Sequence, residues 1–286
     1  DEIRQAIISL PIIIFSKDRA AQLDLCLQSI YDNLYLSRDD CFIHIVYTSS
    51  TPEFQKGYDL VKPCWRNLPK DCPQTLWFGE NFCGGFKKAL DRAISSCGDY
   101  IMFMTDDNII YRQMPTELDM WPEIQETIEQ MDLFTISLRL GTNTFIQDQY
   151  YNTRCMIPDS VIQGEELIRT WEWKKQQAHN SFSYPFSVDG HILNKENIQV
   201  VLSRISEKDT EDYYNPNSLE GKAQYYLDGM PKSMGCFENS YVINTPLNRV
   251  QETCTNKFGK YFNHSAAELN RKLLDGNRLT LEGMDF

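Results

Sequence analysis

The sequence has no apolar run long enough to cross a membrane and no excess of positive charge. A membrane span needs about 18 consecutive apolar residues, but the run from Ile7 to Phe15 is shorter and is interrupted by Pro11. The formal net charge of -12 disfavours nucleic acid or an anionic membrane as partner, because both attract basic patches. We therefore expect no nucleic-acid partner, no membrane span and a cytoplasmic location, although a chain that begins at Asp1 is also compatible with a removed signal or anchor.

The sequence also lacks any Cys-x-x-Cys pair, although it contains nine cysteines. This absence excludes the common zinc-ribbon spacings. An odd number of scattered cysteines in a chain that can pack its own core favours reduced thiols over a disulfide framework, while leaving room for one or two bridges. Repeats, low-complexity tracts and clear linkers are absent too, so we predict one continuous domain over residues 1–286.

Apolar runs of strand length alternate with segments of helical periodicity over about the first 110 residues. Strands are predicted at Leu10–Phe15, Phe42–Tyr47, Thr75–Phe78 and Tyr100–Met104, and helices over Leu23–Leu34, Gln55–Val61 and Lys87–Ile94. This alternation predicts an α/β fold with a largely parallel sheet and helices on both faces. In the less regular remainder, strands are predicted at Leu133–Leu138 and Tyr184–Val188, and helices near Glu123–Met131, Lys195–Ile205 and Leu219–Leu227.

Two adjacent carboxylates, Asp106 and Asp107, directly follow the fourth predicted strand. Because burying charge is costly, we expect them at the open carboxyl end of that strand. Ligands of open α/β sheets bind at this end, and paired carboxylate oxygens suit a hard cation such as Mg2+ or Mn2+. Asp-Asp-Asn is also good turn chemistry, so a plain acidic turn is the alternative that these residues leave open.

Three segments carry a resemblance to a known enzyme family. They are Phe15–Arg19 after the first strand, Asn81–Lys87 opening a helix, and Thr105–Asp107 closing the next strand. In this order they resemble a GT-A glycosyltransferase, similar to glycosyltransferase family 2. The resemblance implies a Rossmann-like sheet, with residues 1–110 as the nucleotide-sugar-binding half and residues 111–286 as the acceptor-side half. It also implies a metal-dependent, inverting, hexosyltransferase-like enzyme that moves a sugar from a nucleotide diphosphate, with a UDP-sugar favoured, to a hydroxyl group of a glycan, glycolipid or protein.

The resemblance assigns a donor site to residues that are spread over the first half. The nucleotide is expected to contact Phe15, Ser16, Arg19, Thr48, Asn81, Lys87 and Asp106. Arg19 offers a planar fork to a phosphate or a base edge, and Lys87 offers a point charge near the diphosphate. Thr48 stands where the family often has an acidic residue that reads the base.

The resemblance also implies that the acidic motif, which is similar to Asp-x-Asp, holds Mn2+ or Mg2+ on the diphosphate. Asp107 is then the expected ligand, and Asp106 faces the ribose or a metal-bound water. Thr105 replaces the usual first acid, which leaves the assignment between the two aspartates open. A late histidine often completes the metal shell in such enzymes, which points to His264, with His191 and Gln251 as alternatives.

Two carboxylates of the second half are candidates for the catalytic base. Asp189, within Ser187–His191, resembles the segment that lines the sugar and acceptor pocket, although Asp-Gly is also a common turn. Glu220 is predicted in the first turn of a helix with its N-cap at Asn217 or Ser218, and resembles the base of inverting GT-A enzymes. Helix capping alone would also explain that glutamate. We rank Glu220 before Asp189.

Aromatic residues upstream of Asp189 leave a further choice open. Trp171 and Trp173 either present their faces to a sugar ring or pack in the core.

Two other functions compete with this reading. A sugar-nucleotide-forming nucleotidyltransferase can have a similar sheet and acidic metal site, but it would carry a glycine-rich basic loop after the first strand, and Ser16–Ala21 contains no glycine. A non-catalytic nucleotide- or carbohydrate-binding module is the second alternative.

Overall fold

The computed structural model of the protein describes residues 10–34, 42–66, 74–114, 120–144, 146–147, 154–155, 168–176, 180–209, 212–248, 250 and 264–282. The strands of this part are β1 (Ile12–Lys17), β2 (Phe42–Thr48), β3 (Gln74–Gly79), β4 (Tyr100–Thr105), β5 (Asn108–Ile110), β6 (Leu133–Ser137), β7 (Ile146–Gln147), β8 (Arg154–Cys155), β9 (Ile168–Glu172), β10 (His191–Asn194), β11 (Ser233–Phe237) and β12 (Val242–Asn244). The α-helices are α1 (Ala20–Asn33), α2 (Pro52–Arg66), α3 (Glu80–Cys83), α4 (Phe86–Ser95), α5 (Met120–Gln130), α6 (Lys195–Lys208), α7 (Pro216–Ala223) and α8 (Ala266–Leu274). Short 3-10 turns form at Trp173–Lys175, Ser181–Ser183 and Gln224–Tyr226. None of the described helices is long and apolar enough to cross a bilayer.

Eight strands form the central sheet in the order β3-β2-β1-β4-β10-β6-β11-β9. Parallel pairing joins β3, β2, β1 and β4, and also joins β6 to β11. β10 runs antiparallel between β4 and β6, and β9 pairs antiparallel with β11 at the edge. The predicted α/β fold with a mostly parallel sheet is confirmed.

The period-two alternation of side chains along the strands supplies a core on each face of the sheet. Ile12 and Ile14 of β1 belong to the cluster that includes apolar residues of α1, α2 and α8. Ile13 and Phe15 belong to the cluster that contains those of α4 and α6. Each fully buried isoleucine contributes about 1.5–3 kcal/mol relative to an exposed one. This two-sided burial explains why the strands are continuously apolar instead of alternating.

One predicted strand, Tyr184–Val188, is wrong. The segment is irregular, and the strand forms later, as β10. Pro185 has no N–H to donate to a sheet, and Gly190 turns the chain into β10 with a φ of 69°. Phe186 and Val188 are nevertheless buried. Their apolar character thus reflects core packing and not strand pairing.

The carboxyl ends of β1 and β2 are tied together beside the acidic pair. Asp18 follows β1 in the left-handed region with a φ of 56°, which aspartate tolerates better than most residues. Its backbone N–H donates to the Thr48 carbonyl at 3.2 Å, and its Oδ1 accepts from the Ser50 N–H at 2.6 Å. These bonds fix the two loops that follow the strands.

Candidate active site

A cavity of about 580 Å³ opens at the carboxyl ends of β1, β2 and β4. The residues that line it are Phe15, Ser16, Lys17, Arg19, Val46, Thr48, Glu80, Phe86, Thr105, Asp106, Asp107, Val188, Asp189, Tyr214, Asn215, Pro216, Asn217, Glu220, Asn244 and Val250. Eight of the predicted site residues are among them: Phe15, Ser16, Arg19, Thr48, Asp106, Asp107, Asp189 and Glu220. The fold therefore brings both predicted halves of the site to one cavity.

The acidic pair at the end of β4 binds the guanidinium group of Arg19. Nη1 of Arg19 lies 3.0 Å from Asp106 Oδ1 and 3.1 Å from Asp107 Oδ2. The hydroxyl of Ser16 donates to the other Asp106 oxygen at 2.8 Å. Asp106 is only 3% exposed, and burial raises its pKa to about 6, helped by the charge of Asp107 and opposed by Arg19. Both oxygens of each aspartate have a hydrogen-bond partner, since Thr105 donates to the other Asp107 oxygen, but the side chain of Asp107 is more exposed, at 14% against 4%.

Arg19 is itself held from several sides. Its Nε donates to Asn248 Oδ1 at 2.9 Å, its Nη2 donates to the Asn248 carbonyl, and its backbone N–H donates to the Tyr58 hydroxyl at 3.2 Å. The two carboxylates raise the pKa of Arg19 in spite of its burial. Arg19 therefore serves the acidic pair as an internal counter-ion, while its predicted contact with a donor phosphate stays a prediction.

Replacing Arg19 with methionine should lower the free energy of unfolding by about 3 kcal/mol, because breaking a buried ion pair leaves a charge without compensation. The loss should be larger at pH 8 than at pH 5, since Asp106 is protonated below its pKa of about 6. Urea unfolding measures both values. Arg66→Met is the matched control, because Arg66 is exposed at the end of α2. Equal losses in the two variants would contradict the counter-ion role.

The hydroxyl of Thr105, the residue before the acidic pair, lies between Asp107 and Asp189. Its hydroxyl oxygen lies 2.7 Å from Asp107 Oδ1 and 3.0 Å from Asp189 Oδ1. A hydroxyl has a single proton and donates to one of these carboxylates at a time. The side-chain amide of Asn108 also donates to Asp189 Oδ1, at 3.1 Å. Asp189 is consequently oriented from β4 and β5, far away in sequence.

Glu220 reaches the cavity from α7, one turn later than predicted. Asn215 caps this helix, accepting from the Ser218 N–H at 2.8 Å, and Pro216 follows it. The predicted N-caps, Asn217 and Ser218, are therefore wrong, because proline is favoured at the first helical position and Asn215 directly precedes it. No acidic residue lies in the first turn of α7, so Glu220 falls beyond it.

The carboxylate of Glu220 is poised to hold or release a proton near neutral pH. Burial raises its pKa to about 7, and the charge of Asp189 adds to this shift. Hydrogen bonds from Ser187 and from the Val188 N–H, which lies 3.1 Å from Glu220 Oε1, oppose it, as does the charge of Arg139. A pKa near the working pH is what efficient general base catalysis requires.

Three predicted site residues do not line the cavity. Asn81 is exposed on α3. Lys87 donates to the Tyr213 hydroxyl at 3.2 Å and pairs with Asp91 at 3.5 Å. His264 is exposed immediately before α8, with its Nδ1 3.6 Å from Glu268. The ligand role proposed for His264 finds no support in this position.

The remaining candidates are buried or undescribed. His191 lies in β10, where its Nδ1 is 3.2 Å from the Pro185 carbonyl, and burial lowers its pKa to about 3. Gln251 lies outside the described residues. Trp171 and Trp173 are buried and donate to the carbonyls of Phe182 and Pro231, at 2.7 and 3.1 Å. Both tryptophans are therefore core residues.

The donor set of the cavity fits a hard cation that shares its ligands with a substrate. No group of three or more His, Cys, Asp or Glu side chains that could hold a metal occurs among the described residues. The Thr105 hydroxyl nevertheless lies within hydrogen-bonding distance of one oxygen of Asp107 and one oxygen of Asp189. Mg2+ is commonly bound through one or two carboxylates together with substrate phosphates.

Several lining residues carry no predicted role. Glu80 follows β3 directly and lines the cavity together with Phe15 and Thr48, and burial raises its pKa. Its position shortly after the strand predicted at Thr75–Phe78 could have indicated that it belongs to the site. Tyr214 gave no comparable signal, because only the tertiary fold brings it to this edge of the sheet.

Comparisons with known proteins found similar chains among the solved structures alone. No protein-family model matches the chain, and no curated protein matches it in sequence. The solved structure of S. aureus TarS 1-349 is 14% identical, with a TM-score of 0.47, over 83% of this chain and 60% of that chain. A structure of the same protein with UDP-GlcNAc gives 14% identity and a TM-score of 0.46, over 86% of this chain and 60% of that one. The mannosyltransferase PcManGT from Pyrobaculum calidifontis, in complex with GDP-Man and Mn2+, is 15% identical with a TM-score of 0.36, over 48% of this chain and 36% of that one. This chain thus spans less than two thirds of the length of each.

Proposed function

We propose that this protein is an inverting glycosyltransferase that moves a sugar from a nucleotide diphosphate, favouring a UDP-sugar, to an acceptor hydroxyl group. One observation carries the proposal: a single cavity holds an acidic pair at the carboxyl end of β4 and a second carboxylate pair, Asp189 and Glu220, from the other half of the chain. Sugar transfer needs both functions in one place. The first accommodates the leaving diphosphate, and the second activates the acceptor.

On the donor side, Asp107 would hold the divalent cation, because its side chain is 14% exposed and that of Asp106 only 4%. Such an ion, when bound, supplies positive charge that stabilises the departing diphosphate. Phe15 of β1 and Thr48, the last residue of β2, lie on the cavity wall, where a nucleoside would contact them. We propose Mn2+ or Mg2+ as the cofactor on the chemistry of these oxygen ligands.

On the acceptor side, Glu220 takes the proton from the attacking hydroxyl group. The acceptor oxygen forms a bond to the anomeric carbon while the bond to the diphosphate oxygen breaks on the opposite face, which inverts the configuration. Asp189 is the weaker candidate for this base, since Asn108 donates to its Oδ1 and the Thr105 hydroxyl lies 3.0 Å from the same atom. Asp189 instead keeps the pKa of Glu220 high.

Turnover should rise with pH and level off above about pH 7, because protonated Glu220 cannot accept a proton. The contribution of Glu220 to the free energy of unfolding should instead fall as pH rises. The pKa of Glu220 in the folded protein lies above the ordinary value of 4.5. Its contribution to the free energy of unfolding is therefore present below about pH 4.5 and is lost as pH rises through about 7. Rate profiles and urea unfolding across pH 4–9 measure the two trends. A rate that is flat from pH 5 to pH 8 would contradict the assignment of the base.

A thermal-shift panel tests the proposed function. UDP-GlcNAc and GDP-Man are tested with Mn2+, with Mg2+ and with a chelator, since a donor that stabilises the protein only with metal identifies base, sugar and metal dependence together. Mass spectrometry then measures sugar transfer to acceptors. Release of pyrophosphate from a nucleoside triphosphate and a sugar phosphate would support the nucleotidyltransferase instead. Binding without hydrolysis or transfer would support the non-catalytic module.

A further inference from the structure

An exposed tyrosine stands on the wall of the cavity beside the helix that carries Glu220. Tyr214 is 58% exposed, and it is one of the residues that line the cavity. Its neighbour Tyr213 is 1% exposed. Ligand pockets are lined predominantly by hydrophobic and aromatic side chains, together with a few polar groups.

The backbone of Tyr214 is held rigidly. The Ser218 hydroxyl accepts from the N–H groups of Tyr214 and Asn215, at 2.9 and 3.0 Å, and donates to the Asn215 carbonyl at 2.9 Å. Pro216 then begins α7 with a fixed φ angle. The ring of Tyr214 is therefore presented from a preorganised turn, which reduces the entropy lost when a ligand packs against it.

The buried neighbour anchors the same turn in the core. The ring of Tyr213 packs edge-on against Phe86 at a centroid distance of 6.3 Å, and Lys87 donates to its hydroxyl at 3.2 Å. Consecutive tyrosines thus have opposite environments, one within the core and one at the cavity.

The composition of the wall indicates which ligand suits Tyr214. Asn215 and Asn217 line the cavity next to it and make this wall polar, while the ring has an apolar face. A sugar ring has the matching chemistry, with C–H groups on its faces and hydroxyl groups at its edge. On the acceptor side the wall of the cavity carries the carboxylates Asp189 and Glu220, whereas the lining cations, Lys17 and Arg19, lie at the end of β1. This excess of negative charge disfavours an anionic acceptor.

We propose that Tyr214 is the platform on which a neutral sugar ring of the acceptor stacks, so that the acceptor is a carbohydrate. The inference rests on the proposed function and selects carbohydrates among the acceptors that this function allows. α7 follows the tyrosine directly and carries Glu220. The stacked ring and the base therefore belong to one local unit, which aligns the acceptor hydroxyl with the carboxylate.

Glycan binding tests this proposal. The full chain, with UDP and Mn2+ present, is applied to an array of neutral, sialylated and sulfated oligosaccharides. Calorimetry then measures the dissociation constant of the neutral oligosaccharide that binds most strongly. Tyr214→Ala should weaken that binding by about tenfold, because a stacked aromatic contact is worth on the order of 1 kcal/mol or more. Tyr214→Phe should stay within about twofold, since it keeps the ring.

Tyr225→Ala is the matched control, because Tyr225 is 82% exposed and is not among the residues lining the cavity. It should bind as the wild type does, and UDP should shift the melting temperature of all variants equally. Unchanged glycan binding by Tyr214→Ala would contradict the proposal that a sugar ring stacks on Tyr214. Preference for acidic glycans, or binding of UDP without any neutral glycan, overturns the neutral carbohydrate acceptor and leaves the transferase standing. Failure of the wild type to bind any nucleotide or nucleotide sugar overturns the proposed function itself.

Discussion

Replacing Asp107 with asparagine should abolish the Mn2+-dependent stabilisation by a nucleotide sugar and lower kcat/KM by about 10³-fold or more, since metal stabilisation of a leaving group is worth several kcal/mol. The amide is nearly isosteric, and its oxygen can still accept a hydrogen bond from Arg19 or Thr105. The fold should therefore persist. Thermal shifts with donor, recorded with Mn2+ and with a chelator, separate loss of metal binding from loss of stability.

Two companion variants sharpen this test. Asp106→Asn should mainly lower stability and retain the Mn2+ response, because Arg19 and Ser16 already hold that carboxylate. Asp228→Asn is a surface control, since the side chain of Asp228 is 98% exposed. Undiminished sugar transfer by Asp107→Asn, or loss of the Mn2+ response in Asp106→Asn alone, would show that the metal ligand is wrongly assigned.

Replacing Glu220 with glutamine should lower kcat by about 10²–10⁴-fold, the usual contribution of a positioned general base. Glutamine keeps an oxygen that can accept from the Val188 N–H, so the local backbone should stay in place. Donor binding should be unchanged, because the substitution affects proton transfer and not the acidic pair. Initial rates over a range of donor concentrations separate kcat from KM.

Glu207→Gln, at an exposed position of α6, provides the control for removing one negative charge. It should have wild-type rates. The pH dependence of turnover provides a second test. The rate that remains in Glu220→Gln should no longer rise as pH increases through 7. Normal turnover by this variant, together with inactive Asp189→Asn, would transfer the role of base to Asp189.

Local patterns were sufficient for most of the first half. The β-branched run that becomes β1 and the apolar run that becomes β4 could be buried only as strands of a two-sided sheet, and the carboxylates of Asp106 and Asp107 could not enter it. The strand predicted at Tyr184–Val188 failed for a related reason. Buried apolar residues indicate a core, but period and composition alone do not distinguish a strand from an irregular segment packed beneath one.

Burial of apolar runs thus allowed the sequence alone to determine the α/β class and the place of the acidic pair at a strand end, whereas Asp189 and Glu220 were candidates only through a resemblance to a family. Only the tertiary structure decided what each carboxylate contacts. Arg19 contacts Asp106 and also Asn248, from which it is separated by more than two hundred residues, and the hydroxyl of Thr105 lies within hydrogen-bonding distance of both Asp107 and Asp189. Periodicity reports which side of an element is buried, whereas hydrogen bonds and charge pairing depend on distances that arise only when the sheet is assembled.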